Sequence, residues 1–278
     1  MRRVLASVLA LLILLLSVPP LEAKSRVPAR VLKPALTAQS YVIVDISNGS
    51  ILHSKMPYKR LPPASTVKVM TVLVAMKYLP ANFPVVVSQN AVNVTPCKAG
   101  LTKGAKYKAS DLIKACLVAS SNDAAVALAE AVAGSESEFA KLMDQRAKEI
   151  GMKDTHFVNA TGLTNKRRTQ YTTAYDLAKM MRHAVKDRRI DEMMGLIDTT
   201  ISGSDGKVIA LRAHNKMLWK MPKFVKGKTG WTYASLHTFV GTNYAKHKSI
   251  TFAMLSSKKP WTDIERLASF GIVLARRR

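Results

Sequence analysis

The spacing of apolar residues changes character several times along the chain, and each change predicts an element. Val4–Val18 is an almost uninterrupted apolar run. Ser40–Asp45 and Ile51–Lys55 are β-rich, and Ser47-Asn48-Gly49-Ser50 lies between them. Asn-Gly supplies the positive φ angles of a tight turn, so the pair predicts a hairpin. From Thr66 to Leu79, Val67, Met70 and Val74 recur at helical spacing until Pro80 closes the stretch. Pro84–Ser88 predicts a short strand. Asp111–Ala119 and Asp123–Ala133 predict two apolar helices split by Ser120-Ser121-Asn122. Glu136–Ile150 is amphipathic and stops at Gly151, a good helix terminator. Thr173–Val185 predicts a further helix. In the last third the period falls to two: Val208–Arg212, Lys223–Lys228, Leu236–Asn243 and Ser249–Ser256 read as strands, before a closing helix over Asp263–Ala275. A hairpin, then helices, then strands is an α+β pattern, with the terminal strands expected in one antiparallel sheet flanked by helices.

Composition sharpens this picture. Hydrophobic residues make up 48% of the 278-residue chain, enough to build a core and too many for a disordered protein. Arg2 and Arg3 precede the first apolar run and Pro19-Pro20 ends it, followed by Leu21-Glu22-Ala23. The run is short of the ~20 residues that span a bilayer, and the pattern predicts a secretory leader over 1–23, with an uncleaved N-terminal anchor as the alternative. A linker over 24–39, one domain over 40–275 and a basic tail over 276–278 complete the expected organisation. Lys and Arg number 43 against 18 Asp and Glu, a formal charge of +25. Such an excess suits a polyanion partner. Export removes nucleic acid from consideration, because the mature chain lies outside the compartment that holds it.

Several clusters could carry chemistry. Ser65 and Lys68 stand three apart at a predicted helix start, so they share a face. A serine hydroxyl needs a neighbouring base to attack at neutral pH, and a lysine serves only when burial or another cation lowers its pKa. Ser120-Ser121-Asn122 sits at a helix junction, where hydroxyl and amide groups can project into a cleft. Lys228-Thr229-Gly230 is expected at the end of a strand, followed by Trp231. Gly227-Lys228-Thr229 copies the tail of a phosphate loop, but the glycine that loop needs five positions earlier is Pro222. A phosphate loop is therefore rejected. The six histidines show no metal-binding spacing, so neither a metal nor another cofactor is expected. Cys97 and Cys116 are equally compatible with a disulfide and with free thiols.

Taken in order, serine-x-x-lysine, serine-x-asparagine and lysine-threonine-glycine resemble the penicillin-binding protein and serine β-lactamase superfamily. Pro63-Ala-Ser-Thr-Val-Lys68, Ser121-Asn-Asp-Ala-Ala-Val-Ala-Leu-Ala129, Thr155-His-Phe-Val-Asn-Ala-Thr-Gly-Leu163 and Gly227-Lys-Thr-Gly230 narrow the resemblance to its low-molecular-mass D-alanyl-D-alanine carboxypeptidases. The resemblance implies the β-lactamase/transpeptidase-like architecture, an antiparallel sheet beside an all-helical lobe. It also implies roles. Ser65 becomes the acyl-enzyme and Lys68 accepts its proton. Ser120 relays a proton to the leaving group, and Asn122 binds substrate or orients Lys68. Lys228 and Thr229 hold the terminal carboxylate. The strand carrying Gly230 brings the Trp231 N–H to an oxyanion hole shared with the N–H of Ser65. The implied partners are the peptidoglycan D-Ala–D-Ala stem and, as covalent inhibitors, β-lactams. The implied location is extracytoplasmic, with the charge excess offering contact with anionic wall or membrane.

The sequence also departs from that family. Trp231 stands where relatives often carry histidine. His214, beside Asn215, stands where an arginine is common. The chain ends soon after the third motif, so the family's second, all-β domain and amphipathic C-terminal helix are not expected. The alternatives are a D,D-endopeptidase using the same site and a non-catalytic peptidoglycan- or polyanion-binding protein. A class A β-lactamase is disfavoured, because no glutamate here has an asparagine four residues on.

Overall fold

In the computed structural model, which describes residues 33–164, 169–221, 225–245 and 248–277, the central feature is a five-stranded sheet of order β2-β1-β9-β8-β7. Its strands are β1 (Ser40–Asp45), β2 (Ile51–Lys55), β7 (Val225–Thr232), β8 (Leu236–Ala245) and β9 (Lys248–Ser257), and each neighbouring pair is antiparallel. The leader expected over 1–23 and most of the linker lie outside the described residues. Residues from Pro34 onward form one compact unit.

Alternation in β1 shows how the sheet is buried. Val42 and Val44 belong to the main core cluster, whereas Ile43 packs against Gly271 of the last helix, α9 (Pro260–Arg276). Both faces are therefore covered, which explains the continuous apolar stretches 41–44 in β1 and 252–255 in β9. α9 lies across β8 and β9. It begins three residues before its expected start, because Pro260 occupies the first turn, where a missing N–H costs nothing.

A helical lobe adjoins the opposite face. A 3-10 turn, Ala64–Val67, leads directly into α1 (Lys68–Tyr78). Then come β3 (Pro84–Val86), α2 (Gln89–Asn93), β4 (Lys106–Lys108), α3 (Ala109–Val118), α4 (Asn122–Ala133), α5 (Glu136–Glu149), α6 (Ala174–Ala184) and α7 (Arg188–Met193). Local chemistry sets several boundaries. Gly134 takes φ +74° and ends α4. Ser135 then caps α5 by accepting from the N–H of Glu138, and Glu138 completes the serine-x-x-glutamate signature. Thr173 caps α6 through the N–H of Asp176.

The strand Val208–Arg212 (β6) does not join the main sheet. It pairs with β5 (Asp198–Ser202), a strand with no clear apolar signal, in a separate two-stranded ribbon. A short helix, α8 (Met217–Lys220), follows. Lys228-Thr229-Gly230 is also displaced from its expected position. β7 continues through the motif to Thr232, so the triplet lies in mid-strand. Gly230 is there because the strand passes too close to Ser65 for a side chain: a Cβ at that position would lie 2.8 Å from the Ser65 nitrogen.

Candidate active site

The 3-10 turn decides the geometry of the first pair. With three residues per turn it places residues i and i+3 directly above one another. The Lys68 Nζ accordingly donates to the Ser65 Oγ at 3.0 Å. It donates also to the Asn122 Oδ1 at 2.6 Å and the Thr161 carbonyl at 2.8 Å. All three ammonium hydrogens thus have acceptors, although the residue is wholly buried. Burial pushes the Lys68 pKa down to about 8.

The turn is held from outside the helix. The Pro63 carbonyl accepts from the hydroxyls of Thr66 at 2.7 Å and of Thr238 in β8 at 2.9 Å. Gly162, with φ +82°, fits against Ala64 so closely that a Cβ would meet the Ala64 oxygen at 2.1 Å. The serine is therefore gripped between the sheet and the segment Thr155–Leu163.

Asn122 opens α4. Its Nδ2 donates to the Thr95 carbonyl at 2.8 Å, which fixes the amide so that its oxygen faces Lys68. Ser120, two residues earlier, adopts φ +58°, a left-handed conformation that a serine takes only where its surroundings enforce it. The Ser120 Oγ accepts from the Lys228 Nζ at 2.9 Å, and Lys228 donates as well to the Thr229 carbonyl at 2.6 Å. Lys228 is buried, and burial followed by the charge of Lys68 pushes its pKa well below the ordinary lysine value. Two buried ammonium groups cannot both keep a full charge cheaply, so the site is built to hold one lysine neutral.

These residues enclose a cavity of about 310 Å³, lined among others by Ser65, Ser120, Asn122, Thr229, Gly230 and Trp231. Each site residue predicted from the sequence is thus present in one place, Lys228 reaching it through its contact with Ser120. Trp231 is half exposed and stacks towards Tyr233 and His237, with ring centroids 4.9 and 6.3 Å away. His214 also lines the cavity, its pKa lowered by burial and by the two lysines, and its Nε2 lies 3.8 Å from the Cys97 sulfur. Cys97 and Cys116 are free, and burial raises the Cys116 thiol to about 12, keeping it neutral.

Nothing in their side chains predicts a role for Thr161 or Gly162, although both lie in the Thr155–Leu163 segment. The contribution of Thr161 is a backbone carbonyl, which side-chain chemistry does not announce. Among the described residues no group of three His, Cys, Asp or Glu is placed to hold a metal ion.

A serine hydroxyl hydrogen-bonded to a buried lysine, beside an edge strand, is an arrangement suited to serine acyl transfer. The chain belongs to the Peptidase S11 family, D-alanyl-D-alanine carboxypeptidase, whose model matches residues 27–259. It is 33% identical over 237 residues to D-alanyl-D-alanine carboxypeptidase DacF of Bacillus subtilis, covering 84% of this chain. It spans 60% of the length of that relative. The crystal structure of a D-alanyl-D-alanine carboxypeptidase from Mycobacterium tuberculosis superposes with a TM-score of 0.81 at 26% identity, over 88% of this chain and 95% of that one. Penicillin-binding protein D2 from Listeria monocytogenes, in its ampicillin-bound form, gives 0.76 at 25% identity over 87% and 99%. The antiparallel sheet with flanking helices is the fold these proteins share.

Proposed function

We propose that this chain is a serine D-alanyl-D-alanine carboxypeptidase that removes the terminal D-Ala from peptidoglycan stem peptides, and that β-lactams acylate the same serine. The observation that carries the reading is the Lys68 amine, wholly buried, lowered towards neutrality and 3.0 Å from the Ser65 hydroxyl.

The steps follow from the positions. Lys68 in its neutral form takes the Ser65 proton as the Oγ attacks the carbonyl between the two D-alanines. The N–H groups of Ser65 and Trp231 receive the oxyanion; such donors typically matter by ~10²–10³-fold in rate. The substrate carboxylate settles against Lys228 and Thr229. Its negative charge favours a protonated Lys228, and that charge in turn opposes one on Lys68, so binding helps to prepare the base. Ser120, already bonded to Lys228, is placed to pass a proton to the departing D-alanine. Asn122 orients Lys68 throughout. Water then hydrolyses the ester on Ser65.

Family membership and the wall substrate together support an extracytoplasmic location, and the charge of +25 supports electrostatic contact with anionic wall or membrane. The test is direct. Fluorescent penicillin followed by mass spectrometry should find one adduct on Ser65 in the native chain and none in Ser65→Ala. The native chain should also release D-alanine from diacetyl-Lys-D-Ala-D-Ala. A native chain that forms no adduct and releases no D-alanine would overturn the reading.

A further inference from the structure

One half-buried carboxylate near the catalytic turn has no part in the steps above. Glu136 opens α5, and its Oε1 accepts from the N–H of Ala160 at 3.1 Å. Ala160 is gripped from α1 as well, its carbonyl accepting from the Thr71 hydroxyl at 2.7 Å. The next residue is Thr161, whose carbonyl accepts from the Lys68 Nζ at 2.8 Å. A chain of bonds thus runs from α5 through the Thr155–Leu163 segment to the amine that serves Ser65.

That chain matters because of what a neutral lysine can offer. An uncharged amine has two N–H groups and one lone pair. With Asn122 and Thr161 taking the two N–H groups, the lone pair is left facing the Ser65 Oγ, 3.0 Å away. The Thr161 carbonyl therefore aims the base, and a carbonyl that drifted would let the amine turn its lone pair elsewhere.

Charge adds a second effect. The ionisable groups around Lys68 are Cys116 of α3, Cys97, Asp123 of α4 and Glu136, with Lys228 and His214 across the site. Burial keeps Cys116 neutral. Asp123 directs its oxygens to the N–H groups of Ala99, Gly100 and Leu101. Glu136 faces Glu130 of α4 as well as Lys68; burial and Glu130 push its pKa up, while the Ala160 bond and Lys68 oppose them. Proton transfer from Ser65 turns Lys68 into an ammonium, and a nearby carboxylate favours that charge.

We infer that Glu136 is a positioning residue for the base: it holds the Thr161 carbonyl against Lys68, and its negative charge steadies the ammonium that forms there. The inference rests on the acyl-enzyme reading above.

The experiment records penicillin acylation of the full chain against pH for the native protein, Glu136→Gln, Glu136→Ala and Glu138→Gln. The last is the control, because the Glu138 carboxylate is exposed and paired with Lys141 in the same turn of α5; its profile should match the native one. Glutamine keeps an oxygen for the Ala160 N–H but carries no charge. Its plateau should stay within about threefold of native, while the rise towards it moves to lower pH by about half a unit. Alanine loses the bond too, so its plateau should fall about tenfold as the Thr161 carbonyl loosens. Adduct yield at completion counts the folded enzyme in each preparation. A carboxylate that merely braced the fold would lower the melting temperature and leave the profile in place. A glutamine profile that coincides with native, or an alanine plateau within twofold of native, overturns the inference while the native adduct on Ser65 keeps the acyl-enzyme reading. Absence of any adduct in the native chain overturns the two together.

Discussion

At the scale of single residues, the behaviour of Lys68 governs what this site can do. Its amine is satisfied by three oxygens and buried, and burial is the largest influence on its pKa, lowered to about 8. A base must be unprotonated to act, so acylation by penicillin should rise with pH, close to tenfold per unit below about pH 8, and level off above it. Stopped-flow acylation across pH 5.5–9.5 reads this directly; a flat profile would show that Lys68 is not the base. Lys68→Arg sharpens the test, because a guanidinium cannot surrender its proton in a protein. The charge and much of the length survive in that variant, yet acylation should fall by roughly 10²–10⁴-fold, the usual contribution of general base catalysis. Thermal melting separates this loss from unfolding. The grouping of Ser65, Lys68, Ser120, Asn122 and Lys228 was legible in the sequence because each is a side chain of distinctive chemistry in a short motif. The carbonyl of Thr161 was not, since any residue supplies one and only the fold aims it at Lys68.

At the scale of elements, the site depends on how tightly three segments are pressed together. The 3-10 turn is clamped by Thr238 from β8, by β7 at Gly230, and by the Thr155–Leu163 segment at Gly162. That last segment is itself pinned. The Asn159 Oδ1 accepts from the N–H groups of Thr161 and Gly162, and a Glu136 oxygen accepts from the N–H of Ala160. Gly162→Ala would place a Cβ 2.1 Å from the Ala64 oxygen and 2.9 Å from the Ser65 nitrogen, on a backbone at φ +82°. Something must move, and the nearest movable group is the turn that carries Ser65. Because a misplacement of about 1 Å can cost ~10²-fold, acylation should fall by about that factor. Gly134→Ala is the matched control: its φ is also positive, at +74°, but open space surrounds the site, so it should cost roughly 1 kcal/mol of stability and leave acylation within about twofold. Equal losses in both would remove the steric argument. Hairpin β1–β2 and helices α3 to α6 were readable from period and caps. The extent of β7 was not, because glycine in Lys228-Thr229-Gly230 signals a strand end locally and a close approach only once Ser65 is known to lie beside it. The β5–β6 ribbon escaped for another reason: β5, Asp-Thr-Thr-Ile-Ser, buries one residue and shows no apolar alternation.

At the scale of the whole molecule, the charge is the property that the site leaves unexplained. Lys68 and Lys228 are buried and account for two cations of a formal excess of +25. Internal pairs take up few of the rest: Lys179 with Asp176 and Lys226 with Asp191 are among the more buried ones. Other buried acids serve the backbone: Asp123 accepts from the N–H groups of Ala99, Gly100 and Leu101, and Asp263 from that of Thr37. At the surface, Glu138, Asp154, Glu192 and Glu265 are already matched with a lysine or arginine. With 43 Lys and Arg against 18 Asp and Glu, the acids are too few to answer all the cations. Among the described residues no helix is long and apolar enough to cross a membrane. An excess of this size attracts anionic wall polymer or lipid at low salt, over a screening length of about 10 Å at 0.1 M that shrinks to about 3 Å at 1 M. The Ser65→Ala chain, which cannot be trapped as an acyl-enzyme, should bind isolated wall sacculi and anionic vesicles at 50 mM salt. It should be mostly released by 0.5 M, with neutral vesicles binding little at either. Retention that ignores salt would instead assign the association to an apolar segment, for which Val4–Val18 is the candidate. The distinction matters for catalysis, because a surface held by diffuse charge can slide along its polymer between stems, whereas an apolar anchor fixes the enzyme at one membrane distance from them.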